Sequence, residues 1–148
     1  MKKLILVFVL CVSAFAQKFT IDQVMSAPYP NQLVAAKKAA RVVWVFNDHG
    51  ASNVWMAEAP DWKGKQVTTY QGDSGMPLAA LTITPDGKTV LFARGSETNG
   101  EGLIANPTTQ LKQPKQQVWA VDADKAGSEP RLIGDMNCGF EGCEDIQI

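Results

Sequence analysis

The chain has 148 residues, with 14 lysines and arginines against 15 acidic side chains, one histidine and a formal net charge of −1. No segment forms a basic stripe, which argues against nucleic acid as a partner, and a lone histidine gives a metal site or a catalytic base few partners. The length suits one small domain.

The first residues read as a leader rather than as part of the fold. Lys2 and Lys3 precede a nearly unbroken apolar run from Leu4 to Ala16, and Ala14-Phe15-Ala16 is an A-x-A cleavage signal. The run is shorter than the ~20 residues a membrane span needs. Leu10 occupies the position before Cys11 where a lipoprotein signal wants a small residue, so plain export is expected, to the periplasm or the medium. Cleavage after Ala16 removes two lysines and leaves 12 basic against 15 acidic residues. It also leaves only Cys138 and Cys143, in a chain that meets oxidising conditions.

From Gln17 onward the reading is a short helix followed by strands. Thr20 and Gln23 have capping-box spacing, and Ile21, Val24 and Met25 supply an apolar stripe before Pro28 and Pro30. The spacing predicts a helix over 19–25, packed on the body as a lid, and a proline-containing linker to residue 32. Strands are predicted at 33–36, 41–46 (RVVWVF), 53–59 (NVWMAEA) and 65–70 (KQVTTY), with turns at 37–40, 47–50 and 60–64. A second set follows at 78–84, 88–94, 116–122 and 131–133. Its first two strands flank Pro85-Asp86-Gly87. There proline presets φ, aspartate bonds its own backbone, and glycine takes the φ > 0 position.

The two sets read as one unit used twice. Val54-Trp55 recurs as Val118-Trp119, 64 residues on, and Leu81 and Ile83 recur as Ile146 and Ile148, 65 residues on. The period exceeds the ~40–45 residues of a compact propeller blade, mostly through a polar insertion at 96–115. A single sandwich of about eight strands and blades around an axis are both open to such a chain; the repeat favours blades. The expected fold is therefore all-β: a partial β-propeller of about two four-stranded antiparallel blades, 33–70 and 77–134. The start of a third follows at 144–148. Propellers close with ~4–8 blades, so the chain reads as a fragment.

The exported N-terminus, FTIDQVMSAPYP, RVVWVFNDHGASNVW and LTITPDGKTVLFARG together resemble the start of secreted prolyl oligopeptidase-family serine peptidases. These include dipeptidyl peptidase-like and acylaminoacyl peptidase-like enzymes. The likeness covers nearly all of the mature chain, although the strand-TPDGK-strand hairpin is shared with TolB-type binding propellers. It implies an N-terminal propeller ahead of a C-terminal α/β-hydrolase domain. That domain and peptide substrates would be its partners, and its role would be to shield and gate the active site. The family's catalytic residues lie in the hydrolase domain, and no G-x-S-x-G elbow occurs here. The resemblance therefore implies no catalytic residue, cofactor or metal in this chain. A periplasmic TolB-type scaffold without enzymatic activity is the alternative.

Other motifs along the chain also invite a functional reading. Gly72-Asp73-Ser74-Gly75-Met76-Pro77 resembles the nucleophile loop of chymotrypsin-like proteases, and His49 and Asp61 complete the order of a triad on paper. Met76 replaces the loop's second glycine, so a linker is expected. Trp44, Trp55 and Trp119 lie within strands and are expected to pack in the core or between blades, with a ligand platform as the alternative. Cys138 and Cys143 bracket four residues; a local disulfide is expected, with free thiols as the alternative, and closing so small a loop contributes about 2 kcal/mol at most. Glu141, Glu144 and Asp145 read as a solvated face. Alternating strand direction places 47–52, 71–76, 96–115 and 135–143 at one end of the blades. The tight turns lie at the other, and the longer connections mark the first end for interaction.

Overall fold

The computed structural model describes residues 19–96, 99, 101, 103–104, 111 and 114–136. The leader at 1–16, Cys138, Cys143, Glu141, Glu144, Asp145 and the third-unit start at 144–148 lie outside the described residues. So does most of the insertion at 96–115.

The capping box closes as its spacing requires. The Gln23 N–H donates to Thr20 Oγ1 at 3.1 Å, and the Thr20 N–H donates to Gln23 Oε1 at 3.0 Å. The resulting helix α1 (Ile21–Met25) is one turn long. It does not act as a lid: Phe19, Ile21 and Val24 are 73%, 82% and 63% exposed. A single turn offers too little apolar stripe to seat itself on a sheet.

Two four-stranded antiparallel sheets follow, each in simple sequence order. The first contains β1 (Tyr29–Ala35), β2 (Arg41–Asp48), β3 (Ala51–Glu58) and β4 (Lys65–Gln66). The second contains β5 (Leu78–Ile83), β6 (Thr89–Arg94), β7 (Gln117–Asp122) and β8 (Arg131–Asp135). Neither sheet closes on itself. β1 starts four residues before the predicted strand and runs through Pro30, which an edge strand tolerates because its outward N–H is not needed. β4 is shorter than its predicted 65–70. Beyond Gln66, buried side chains take over from the ladder: Val54 N–H donates to Thr68 Oγ1, Thr68 Oγ1 donates to Asn53 Oδ1, and Asn53 holds both the N–H and the carbonyl of Tyr70.

The Pro85-Asp86-Gly87 turn behaves as its residues dictate. Asp86 Oδ1 accepts from Thr84 Oγ1 and from the Lys88 N–H, and Gly87 sits at φ 76°. Those bonds hold the Asp86 carboxyl below its ordinary pKa, the Thr84 hydroxyl contributing most. Between β2 and β3 the chain reverses in two residues, His49 (φ 50°) and Gly50 (φ 85°), a pair of positive φ values that matches a type I′ hairpin turn.

The strand pairing makes the internal repeat quantitative. Val34 pairs with Val43 and Thr82 with Leu91, an offset of 48 on both strands, and Trp44 pairs with Trp55 as Phe92 pairs with Trp119. Both first strands carry a bulge at the same place, with Gln32 at φ 54° and Ala80 at φ 48°. The offset grows from 48 to 64 across the β6–β7 connection, where the insertion lies.

The repeat fixes which faces are equivalent. One face, here the front, carries Leu33, Val42, Trp44 and Trp55 in the first sheet and Leu81, Val90, Phe92 and Trp119 in the second. The back of the first sheet carries Val43, Val45, Val54 and Met56. The core is one cluster made from the back of the first sheet and the front of the second, with Val43, Val54, Val90 and Phe92 fully buried. The sheets thus stack front to back, as successive copies of one unit, rather than front to front. Trp119 lies against this core as expected, whereas Trp44 and Trp55 face outward.

Candidate functional site at the loop end

Turns and links segregate to two ends. At one, the Lys38 N–H donates to the Pro85 carbonyl at 2.8 Å, and Arg41 ties the sheets together. Its guanidinium bonds the Gly87 carbonyl at 2.9 Å and pairs with Asp124 at 2.6 Å and Glu58 at 2.8 Å. Burial opposes the charge on Arg41, but Asp124 and then Glu58 outweigh it and hold the pKa above its ordinary value. Glu58 is in turn held below the ordinary carboxylate range, by Lys65 first and Arg41 next.

At the other end the β2–β3 turn meets the link between the sheets. A Cβ on Gly50 would lie 2.5 Å from Asp73 Cβ, so only glycine lets the two segments approach this closely. Beneath them are two clefts at repeat-equivalent positions. The first, about 370 Å3, is lined by Pro28, Phe46, Asp48, Asn53, Trp55 and Tyr70 among others. The second, about 200 Å3, is lined by Ser74, Met76, Arg94, Lys115, Gln117 and Trp119 with Pro114. Pro28 corresponds to Met76, Phe46 to Arg94, Asn53 to Gln117 and Trp55 to Trp119.

The same frame carries different chemistry in the two clefts. Aromatic rings dominate the first: Phe46 meets Trp55 edge-on at 5.4 Å and Trp44 edge-on at 5.8 Å. Its one carboxylate, Asp48, bonds His49 Nδ1 at 2.6 Å. The second holds Arg94, whose guanidinium lies 4.3 Å over the Tyr70 ring, and Lys115, paired with Asp135. Burial pushes the Tyr70 phenol up, offset in part by Arg94. The Gln117 and Lys115 hydrogen bonds hold Asp135 low.

The paper triad does not assemble. His49 precedes β3 and Asp61 follows it, and eight extended residues separate opposite ends by about 24 Å. Ser74 Oγ accepts from the Met76 N–H at 3.3 Å and Asp73 Oδ1 from the Gly75 N–H at 2.8 Å, the bonding of a self-supporting loop. Among the described residues no three His, Cys, Asp or Glu side chains gather as metal ligands. None of their helices is long and apolar enough to cross a membrane. No family model, curated protein or solved structure matches this chain.

The structure adds residues that the sequence reading passed over: Gln32, Arg41, Asn53, Thr68, Tyr70 and Arg94. Each acts through a partner at least 14 positions away, and no local pattern marks such a pairing.

Proposed function

We propose that this chain is a non-catalytic propeller segment of an exported prolyl oligopeptidase-like serine peptidase, which shields a hydrolase domain and gates peptide access to it. The observation that carries the reading is the front-to-back stacking of two equivalent four-stranded units. That arrangement is how blades succeed one another, and it gathers the longer connections at one end. There the two clefts offer aromatic rings with a carboxylate, then cations, to an extended peptide passing over them. The exported N-terminus and the family resemblance supply the rest.

Two results test it. The coding sequence past Ile148 should run through further repeats into a G-x-S-x-G hydrolase domain. In that whole enzyme, deleting residues 96–115 should change the limit on substrate length. A stop after further repeats with no hydrolase assigns the chain to TolB-type binding propellers. Unchanged kinetics across peptide lengths would remove the gating role.

A further inference from the structure

The second cleft holds a cation with nothing to balance it. Arg94 stands at the end of β6, and its guanidinium lies 4.3 Å over the Tyr70 ring. Among the described residues no carboxylate or carbonyl bonds that guanidinium, so its N–H donors are left for the cleft. Lys115 differs, because its ammonium pairs with Asp135, which also accepts from Gln117 Nε2 at 2.9 Å. Asp73, beside the lining, gives its Oδ1 to the Gly75 N–H. With Lys115 and Asp135 balanced, the lining carries one unopposed positive charge.

The frame of the repeat does not require this charge. Phe46 and Ala51 line the first cleft where Arg94 and Lys115 line the second. Both units keep the same strand pairing, so the cations belong to one copy and not to the architecture. The guanidinium is also placed before any ligand arrives. Asn53 bonds the N–H and the carbonyl of Tyr70, and the Tyr70 ring supports Arg94, so less side-chain freedom is lost on binding. A guanidinium presents a planar fork that matches two carboxylate oxygens. Ser74 Oγ accepts from the Met76 N–H and keeps its own hydrogen to donate. At about 200 Å3 the cleft is smaller than the ~300–1,000 Å3 of small-molecule sites, which suits one side chain or one chain end. The front of the second sheet already has the first sheet packed on it, and the cleft stays open with that neighbour in place.

We propose that the second cleft binds a carboxylate of an extended peptide, with Arg94 as the ion-pair partner and Ser74 Oγ as a supporting donor. A monoanion balances the single free charge, whereas a dianionic phosphate would leave excess negative charge beside Asp135. An acidic side chain and a peptide C-terminus both carry this group. The proposal rests on the loop-end part of the functional reading and is independent of the peptidase part.

A 1H–15N titration of the full 148-residue chain tests this with N-acetyl-pentaglycine, its C-terminal amide, and the same amide carrying a central aspartate. The probes with a carboxylate should shift the Arg94 Nε–H and Trp119 indole signals saturably, and the neutral amide should shift neither. Binding of the first probe alone assigns the site to chain ends. Binding of the aspartate probe assigns it to acidic side chains. Arg94→Gln, followed at Trp119, should weaken binding about tenfold through loss of the charge-assisted pair. Arg94→Phe, which copies the first unit, should do the same. If either variant fails to fold, the comparison of probes on the wild-type chain carries the test. No saturable shift at millimolar probe overturns the proposal, as does equal binding of the neutral amide. Unchanged affinity in both variants, or tighter binding of inorganic phosphate, also overturns it. None of these results bears on the coding sequence past Ile148, and a carboxylate site with no hydrolase downstream would keep this proposal and remove the peptidase.

Discussion

The fronts of the two sheets are built alike and placed differently. Trp44 and Phe92 hold the same position in the repeat, and both face a tryptophan across the ladder. Phe92 is fully buried against the back of the first sheet, whereas Trp44 is half-buried, stacked on Trp55 at 6.4 Å and edge-on to Phe46. A side chain's contribution to stability therefore follows from what its face meets, not from its place in the unit. The teaching extends to the clefts, where one frame holds Asn53 buried in one copy and Gln117 near the surface in the other.

The largest test of the comparison is truncation of the two rings. Phe92→Ala should cost about 3–5 kcal/mol in urea unfolding, through lost transfer energy and the cavity left behind. Trp44→Ala should cost less than half as much, since its ring is already part-solvated. Equal losses would mean that the outer face is covered.

The next test contrasts the equivalent amides. Asn53→Ala strands the Tyr70 N–H and one bond of the buried Thr68 hydroxyl, and should cost about 2 kcal/mol. Gln117→Ala loses an exposed bond to Asp135 and should stay within about 0.5 kcal/mol. A large effect at Gln117 would break the contrast. Between the two falls the clamp between the sheets: Gln32→Ala frees two backbone groups, the Leu78 carbonyl and the Leu81 N–H, at a half-exposed edge and should cost about 1 kcal/mol.

The smallest effect is on pH dependence. Lys65 and Arg41 depress the Glu58 pKa below its ordinary 4.5, so its contribution is fully present above that pH and is lost as pH falls through the lower folded value. A Glu58→Gln chain should show a shallower acid limb in a melting-temperature series below about pH 4.5. An identical limb would show that this exposed cluster does not couple to folding.

Much of the fold was legible because its causes are local. The capping box, the Thr84 to Thr89 turn and most of β2, β3, β6 and β7 are set by residues within a few positions of one another. The recurrence of Val-Trp predicted two equivalent sheets. The start of β1 is hidden from the sequence because Pro30 argues against a strand unless that strand is known to be an edge. The end of β4 is hidden as well, because KQVTTY has strand composition throughout, while the role of Thr68 depends on Asn53 across the sheet. The loop end was predicted from strand alternation alone, and Gly50 against Asp73 bears out the meeting of two of its segments. The paired clefts were not, since Phe46 and Arg94 share a position but no chemistry.

By itself the sequence determined the strands, their tight turns and the period of the repeat. Alternation, proline, glycine and short polar side chains specify these without distant help. Only the tertiary structure decided which side of the first sheet is core. Val42-Val43-Trp44-Val45-Phe46 is apolar at every position, so a period of two distinguishes its faces without choosing between them. The second sheet makes the choice by covering Val43 and Val45, and Trp44 and Phe46 are left on the open side.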